Sequence, residues 1–210
     1  MKFQIDYLQS PNGLIKLYNL TDWWNSTFSN EEKNHIIDAY RPIGMSGKSL
    51  IKGDFPESNN SVVNFLCNLS GWFDNKEDRN IAIEILKKAE SLVNDKTPPL
   101  DYHFLLQHII RVHYSNRYED LKSLNKAIFA CAQQIEFAPN AAIALKRKYN
   151  DENLPIHVGY EQMAIVKEKE KKYHEVVYYC TKAMEEGWRG NWKERIERCQ
   201  NKSMKGKLKD

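Results

Sequence analysis

Apolar residues recur at intervals of three and four along most of the chain beyond residue 28, the spacing that places them on one side of an α-helix. This periodicity predicts helices at 28–41, 61–73, 78–94, 100–115, 118–137, 139–149, 156–170, 173–186 and 190–202. The breaks between them coincide with residues that end helices, namely Pro98, Pro99, Pro139, Pro155, Gly187 and Gly190. Because the connections are short, successive helices should pack as antiparallel neighbours, and we predict an all-α fold.

The start of the chain follows a different pattern. The stretches "FQIDYL" and "LIKLYNL" flank the turn residues "SPNG", a combination that is typical of a small β-hairpin. We therefore expect an N-terminal segment, residues 1–60, that holds this hairpin, one helix and a loop and packs on the rest of the chain. Residues 61–202 should form a helical domain, and residues 203–210 a basic, frayed tail.

The triplet Gly47-Lys48-Ser49 matches the end of the phosphate-binding loop of NTP hydrolases. In that loop a first glycine lies five residues before the second, but here that position is Pro42, which has no N–H to offer a phosphate. The preceding segment "FSNEEKNHIIDAY" is typical of a helix, in which Ser29 and Glu32 form a capping box, and not of the required strand. We expect a glycine-rich connector that binds no nucleotide.

The segment "GYEQMAIVKEKEKKYHEVVYYCTKAMEEGW" predicts two helices joined by a tight turn before Tyr173. Small residues at Ala164 and Ala183 would let the two helix axes approach closely. The arrangement resembles the tetratricopeptide repeat, a pair of helices about 34 residues long. It departs from that family's pattern at Lys167, where the family favours Tyr, and at Trp188, where it favours Pro.

Two further segments extend the resemblance to residues 61–202. Residues 61–94 fit the same template, with Ala82 and Ala89 at small positions of the second helix. Residues 101–139 have the right length, but larger residues occupy positions at which the family has small ones, namely Ile109, Leu121 and Ile128. Helix 139–149 is then an insertion, and the last helix should cap the array.

The resemblance implies a protein- or peptide-binding module without enzymatic activity, because stacked helix pairs present a concave surface to another chain. In this family the first helix of each pair lines that surface. The positions nominated for partner binding are His103, Leu106, Ile110, His113, Tyr114, Val158, Glu161, Ile165 and Glu168. One subset of the family clamps a carboxyl terminus with Lys and Asn, but the equivalent positions here include Cys67, Gly71 and Glu161, so that ligand is not expected.

The middle helix has more apolar residues than one contact with its pair would use. Leu105, Ile109 and Val112 suffice for packing within the pair, and a second stripe comprises Leu106, Ile110 and Tyr114. A soluble protein usually covers such a stripe. The cover is either a bound partner or another part of this chain.

Composition narrows the remaining alternatives. A net charge of +3 over 210 residues is too small to indicate a nucleic-acid partner by itself. The opening residues lack the apolar core of a signal peptide, so we expect a cytoplasmic protein. The four cysteines are widely separated and are expected to be free thiols. No metal or other cofactor is expected, because His103, His108 and His113 are five residues apart and do not share a helix face.

Two other classes of function stay open from the sequence. The basic C-terminal region could associate with nucleic acid, in which case binding should depend steeply on salt. An enzyme could assemble its site from residues that are distant in the sequence, which would require a polar pocket with shifted pKa values.

Overall fold

The computed structural model describes residues 7–53, 60–150 and 152–207, and within them the chain is mostly helical. Its contacts divide it into two compact units, one ending at Leu92 and one beginning at Val93. This division lies within the region predicted as one repeat domain, and the boundary expected at residue 60 stays a prediction. Among the described residues, no helix combines the length and the apolar character needed to cross a bilayer.

After the helical residues 7–9, the described part of the first unit contains five α-helices and two short 3-10 turns. The α-helices are α1 Leu14–Leu17, α2 Thr21–Thr27, α3 Asn30–Ala39, α4 Val62–Ser70 and α5 Arg79–Ser91; the 3-10 turns span Gly47–Leu50 and Gly71–Phe73. The predicted capping box begins α3, since Ser29 Oγ accepts from the Glu32 N–H at 3.2 Å and Glu32 Oε2 accepts from the Ser29 N–H at 2.8 Å.

The β-hairpin predicted near the N-terminus is wrong on the residues that the structure describes. Its second arm contains helix α1, and residues 7 and 8 of its first arm are also helical, whereas residues 1–6 lie outside the described part. The apolar run Leu14-Ile15 is buried from the start of a one-turn helix. A helix of four residues is too short to show a helical period, and for this reason the pattern resembled a strand.

The Gly47-Lys48-Ser49 triplet forms a 3-10 turn that packs against α3. Gly47 is buried, and a Cβ atom added there would lie 1.7 Å from the Ile37 carbonyl oxygen. The glycine thus permits close packing of two backbone segments. This close contact accounts for the glycine at position 47. The expectation that the loop binds no nucleotide remains a prediction.

The second unit contains six helices and a short parallel strand pair in its described part. The helices are α6 Pro99–Ser115, α7 Leu121–Glu136, α8 Ala138–Tyr149, α9 Val158–Lys169, α10 Tyr173–Glu185 and α11 Trp192–Lys207. The strands are β1 Leu154–Ile156 and β2 Trp188–Arg189. Leu154 pairs with Trp188, so the residues just before α9 and just after α10 are held side by side.

Helices of the second unit pack mainly on their sequence neighbours. Helix α6 packs on α7, α9 packs on both α7 and α10, and α10 packs on α11. Helix α9 also touches α6, whereas α8 folds back onto α6. This is the packing order expected of successive helical hairpins, with α8 as an insertion.

A buried amide ties three of these helices together. Gln134 of α7 donates from Nε2 to the His103 carbonyl of α6 at 2.9 Å, and its Oε1 accepts from the Gly159 N–H of α9 at 2.7 Å. A Cβ atom at Gly159 would lie 2.9 Å from Gln134 Oε1 and 3.1 Å from the Cys131 carbonyl oxygen. Glycine at this position lets the first turn of α9 reach the amide.

Most of the small residues predicted at helix seams are buried. Ala82, Ala89, Ala164 and Ala183 are fully buried in their helices. In α7 the expected register is wrong, because Leu121 is 83% exposed and so does not face the seam. The buried small residues of α7 are instead Ser123, Ala127, Ala130 and Cys131.

The buried position of Ala183 leads to a stability prediction. Because α10 packs on both α9 and α11, the larger side chain of Ala183→Leu should overpack the seam and lower the free energy of unfolding by about 1 to 3 kcal/mol. Urea unfolding followed by circular dichroism measures this change. Ala132→Leu is the matched control, since Ala132 is exposed on α7 and the substitution there should cost little. Equal midpoints for the two variants would contradict the assignment of Ala183 to the seam.

Candidate partner-binding site

The residues nominated on α6 are mostly interior. His103, Leu106 and Ile110 are 3%, 1% and 0% exposed, and His113 is 9% exposed with Nδ1 3.2 Å from Ser123 Oγ of α7. Helices α7, α8 and α9 all pack on α6. These four residues therefore do not form an open face in this structure, which favours the alternative that the chain itself covers the apolar stripe. Tyr114, at the end of that stripe, is partly exposed.

Two rings from other elements lie against the His103 ring. His157, the residue before α9, has its ring centroid 5.3 Å from that of His103, and Trp188 of β2 lies 6.0 Å from His103 and 4.6 Å from His157. His157 Nδ1 accepts from the Tyr160 N–H at 3.3 Å and so caps α9. His157 is not among the residues nominated from the sequence, although its position just after a proline-containing break is typical of a helix start.

Both histidines are held in the neutral form. Burial lowers the pKa of His103 to about 4 and that of His157 to about 3; His103 contributes to the lower value of His157, and backbone carbonyl groups at Gln134 and His157 oppose it. His103 Nδ1 and His157 Nε2 are buried and make no well-formed hydrogen bond within the described residues. Because Nδ1 of His157 accepts a hydrogen bond, its proton lies on Nε2.

The four residues nominated on α9 share one side of the helix. Val158, Glu161, Ile165 and Glu168 are spaced by three, four and three residues, and each is partly exposed. The opposite side of α9 is buried, including Tyr160, Met163 and Ala164. The nominated residues of α9 therefore share a partly exposed side, whereas those of α6 are buried except for Tyr114.

Glu168 lies at the centre of a cation cluster that the sequence analysis did not find. Its Oε2 accepts from Arg195 at 3.2 Å and from Arg198 at 2.8 Å, and its Oε1 accepts from Arg198 at 3.0 Å and from Lys202 at 2.9 Å. The hydrogen bonds from Arg198 and Lys202 lower the pKa of Glu168 to about 2 against the opposing effect of burial. The spacing of the three basic residues by three and four positions along α11 is the signal that could have identified them.

Tyr114 belongs to a second group of cations and aromatic rings. Lys169, the residue after Glu168, donates from Nζ to Tyr114 Oη at 3.0 Å. The Arg117 guanidinium lies 4.1 Å from the Tyr114 ring centroid and 4.2 Å from that of Tyr118, which is 80% exposed. This group joins the end of α6 to the end of α9.

Two buried thiols of the second unit have raised pKa values. Burial raises the pKa of the Cys131 thiol to about 12 and that of Cys180 to about 11, so these two thiols are not nucleophiles at neutral pH. The described residues hold no cluster of three or more His, Cys, Asp or Glu side chains suited to a metal ion. What the α9 side offers is apolar contact at Val158 and Ile165, bounded at Glu168 and Lys169 by charge.

The burial of Ile110 leads to a prediction that decides whether this side of α6 is buried core or an open binding surface. Ile110→Ser should lower the free energy of unfolding by about 3 kcal/mol, because it removes buried methyl groups and places a hydroxyl in an apolar site. Arg111→Ser, an exposed change on the same helix, serves as the control and should shift the urea midpoint little. Equal stability of the two variants would show that the side of α6 carrying Ile110 is open.

The neutral histidines predict a loss of stability in acid. In the folded state both rings stay neutral down to their pKa values of about 4 and about 3, whereas in the unfolded chain they take up protons near pH 6.5. The unfolded state therefore binds more protons below about pH 6.5. The free energy of unfolding should decrease from about pH 6.5 toward pH 4, by at most about 1.4 kcal/mol per pH unit for each proton.

Urea unfolding across this pH range tests the prediction with two variants. His157→Asn keeps a side-chain acceptor for the helix cap but does not titrate, so its stability should decrease less steeply with falling pH. His174→Gln changes an exposed histidine of α10 and should retain the slope of the unmodified protein. Identical slopes for the two variants would remove His157 as a source of the acid sensitivity.

Comparisons with known proteins assign no relative to the chain: no family model, curated protein or solved structure matches it.

Proposed function

We propose that the second unit is a non-enzymatic module that binds a protein or peptide along the partly exposed side of α9. The observation that carries this proposal is the arrangement of Val158, Glu161, Ile165 and Glu168 on one side of that helix. Apolar and charged positions alternate along it, as suits a partner segment that makes both kinds of contact. Tyr114 extends this surface toward the end of α6 through its hydrogen bond with Lys169.

The order of helix packing supports a tetratricopeptide-like array in this unit. Helices α6 and α9 would be the first helices of two successive pairs, and α11 the capping helix. Each of the three contributes to the proposed surface: Tyr114 from α6, the nominated stripe from α9, and the Glu168 contacts from α11. A concave face lined by first helices is what the family resemblance implies.

The state of the ionisable groups supports binding over catalysis. The pKa of Glu168 is about 2, so this carboxylate is ionised and occupied by hydrogen bonds at neutral pH and is poorly suited to act as an acid or a base. The described cysteines are all free and buried. Free thiols suit a reducing compartment, which supports the expectation of a cytoplasmic protein.

The proposal is tested by placing a charge in the apolar part of the α9 surface. Ile165→Asp should abolish capture of partners in an affinity purification from the native cell, analysed by mass spectrometry, because the carboxylate would have to be desolvated against an apolar contact. Ile143→Asp, on the exposed side of α8, is the matched control and should capture the same partners as the unmodified protein. Circular dichroism must show both variants folded. Partners retained by folded Ile165→Asp would refute the proposed surface.

A further inference from the structure

Glu168 receives more cationic donors than one carboxylate can neutralise. Arg195, Arg198 and Lys202 together place four hydrogen bonds on its two oxygens. A carboxylate has about four lone-pair sites, so Glu168 is fully occupied. Counted against Glu168 alone, the three cations exceed the carboxylate by two charges; Glu194 and Glu197 of α11 line the same surface pocket as Arg198 and Lys202.

The two outer cations are the exposed members of the cluster. The Glu168 and Arg195 side chains are 16% and 19% exposed, whereas those of Arg198 and Lys202 are 47% and 46% exposed. An arginine offers five N–H donors and a lysine three, and Glu168 takes two from Arg198 and one from Lys202. Glu168 thus holds both outer cations in place while leaving donors of each directed elsewhere.

Lys169 adds a further cation in the last turn of α9. It follows Glu168 in the chain, is exposed, and is held by the Tyr114 hydroxyl. Long side chains lose entropy when a ligand immobilises them. Contacts already made to Glu168 and Tyr114 lower that cost for Arg198, Lys202 and Lys169.

We propose that Arg198, Lys202 and Lys169 bind acidic side chains, Asp or Glu, of the partner that lies along α9. This inference rests on the proposed function, and it specifies the chemistry of the partner. Glu168, nominated above as a partner contact, then acts as a positioning residue: its oxygens are occupied by Arg195, Arg198 and Lys202, and it reaches the partner through the cations that it orients. The apolar side chain of Ile165, one turn before Glu168, would contact a neighbouring apolar residue of the same segment.

Carboxylates near the cations favour a peptide over a nucleic acid. Glu161 shares the exposed side of α9, and Glu194 and Glu197 lie on α11 beside Arg198 and Lys202. A nucleic-acid backbone carries a charge at every nucleotide and needs a continuous basic track, which these carboxylates interrupt. In a peptide, by contrast, each acidic side chain can form an ion pair with one of the cations.

The inference is tested on the full-length protein with two peptides whose ends carry no charge. The probes are an acetylated and amidated peptide of alternating Glu and Gly and the same peptide with Gln in place of Glu. NMR titration of the labelled protein should show saturable binding of the Glu peptide, weakened by added salt, and none of the Gln peptide. Equal binding of both peptides, or of neither, would overturn the inference.

The double variant Arg198→Ala and Lys202→Ala locates the contact. It should weaken binding of the Glu peptide by about threefold to fivefold, the range for half-exposed ion pairs. The charge-matched control, Lys193→Ala with Lys122→Ala, removes two exposed lysines outside the cluster and should weaken it less. An equal loss in the control would show nonspecific attraction. A single-stranded oligonucleotide could instead bind more tightly than the Glu peptide and lose binding in the same double variant. That result would overturn the inference, because the ligand of these cations would then be a nucleic acid and not an acidic peptide.

Capture of the native partner distinguishes failure of this inference from failure of the proposed function. A partner lost in Ile165→Asp and also in the Arg198 and Lys202 variant supports both. A partner lost in Ile165→Asp but retained in the double variant refutes the acidic contact and leaves the proposed surface intact. A partner retained in both variants refutes both.

Discussion

The second unit depends on the buried amide of Gln134. This side chain lies on α7 and bonds to the backbone of α6 on one side and of α9 on the other. A buried amide with both ends satisfied allows little displacement of the groups it joins, because each lost bond would leave a buried polar atom without a partner. It therefore determines where α9 begins, and with it which side of α9 remains partly exposed.

The start of α9 shows how this constraint extends to neighbouring groups. Gly159 must approach the amide closely, so the residue that caps the helix is His157, and its ring then lies against His103 and Trp188. The cluster contains two imidazoles in a space that favours their neutral forms. The same packing that gives the helix a defined start thus makes this part of the unit sensitive to acid.

Periodicity predicted the long helices well because each buries one side along many turns. The spans predicted at 78–94, 100–115 and 173–186 correspond closely to α5, α6 and α10. It was wrong at Leu14–Leu17, where one turn of helix contains too few residues to display a period. It also could not decide what covers Leu106 and Ile110, since a stripe buried by the same chain and one buried by a partner have the same pattern.

The candidate site was only partly accessible to sequence reasoning for a related reason. The α9 residues follow from spacing alone, but Arg195, Arg198 and Lys202 resemble an ordinary solvated helix face until Glu168 is placed opposite them. In α7 the alignment to a family template put Leu121 at the seam, whereas the packing uses Ser123 and Ala127. Such contacts depend on how two helices are rotated relative to each other, and the sequence of one helix alone does not specify this rotation.

The pairing of β1 with β2 gives the α9–α10 hairpin a single junction. Leu154 and Trp188 lie side by side, so the chain enters and leaves the hairpin at one place. A duplication with both breakpoints at this junction would rejoin ends that are already adjacent, whereas a deletion would also remove the Gly159 N–H from which Gln134 Oε1 accepts. The junction therefore marks the natural boundaries for grafting this hairpin into another helical protein.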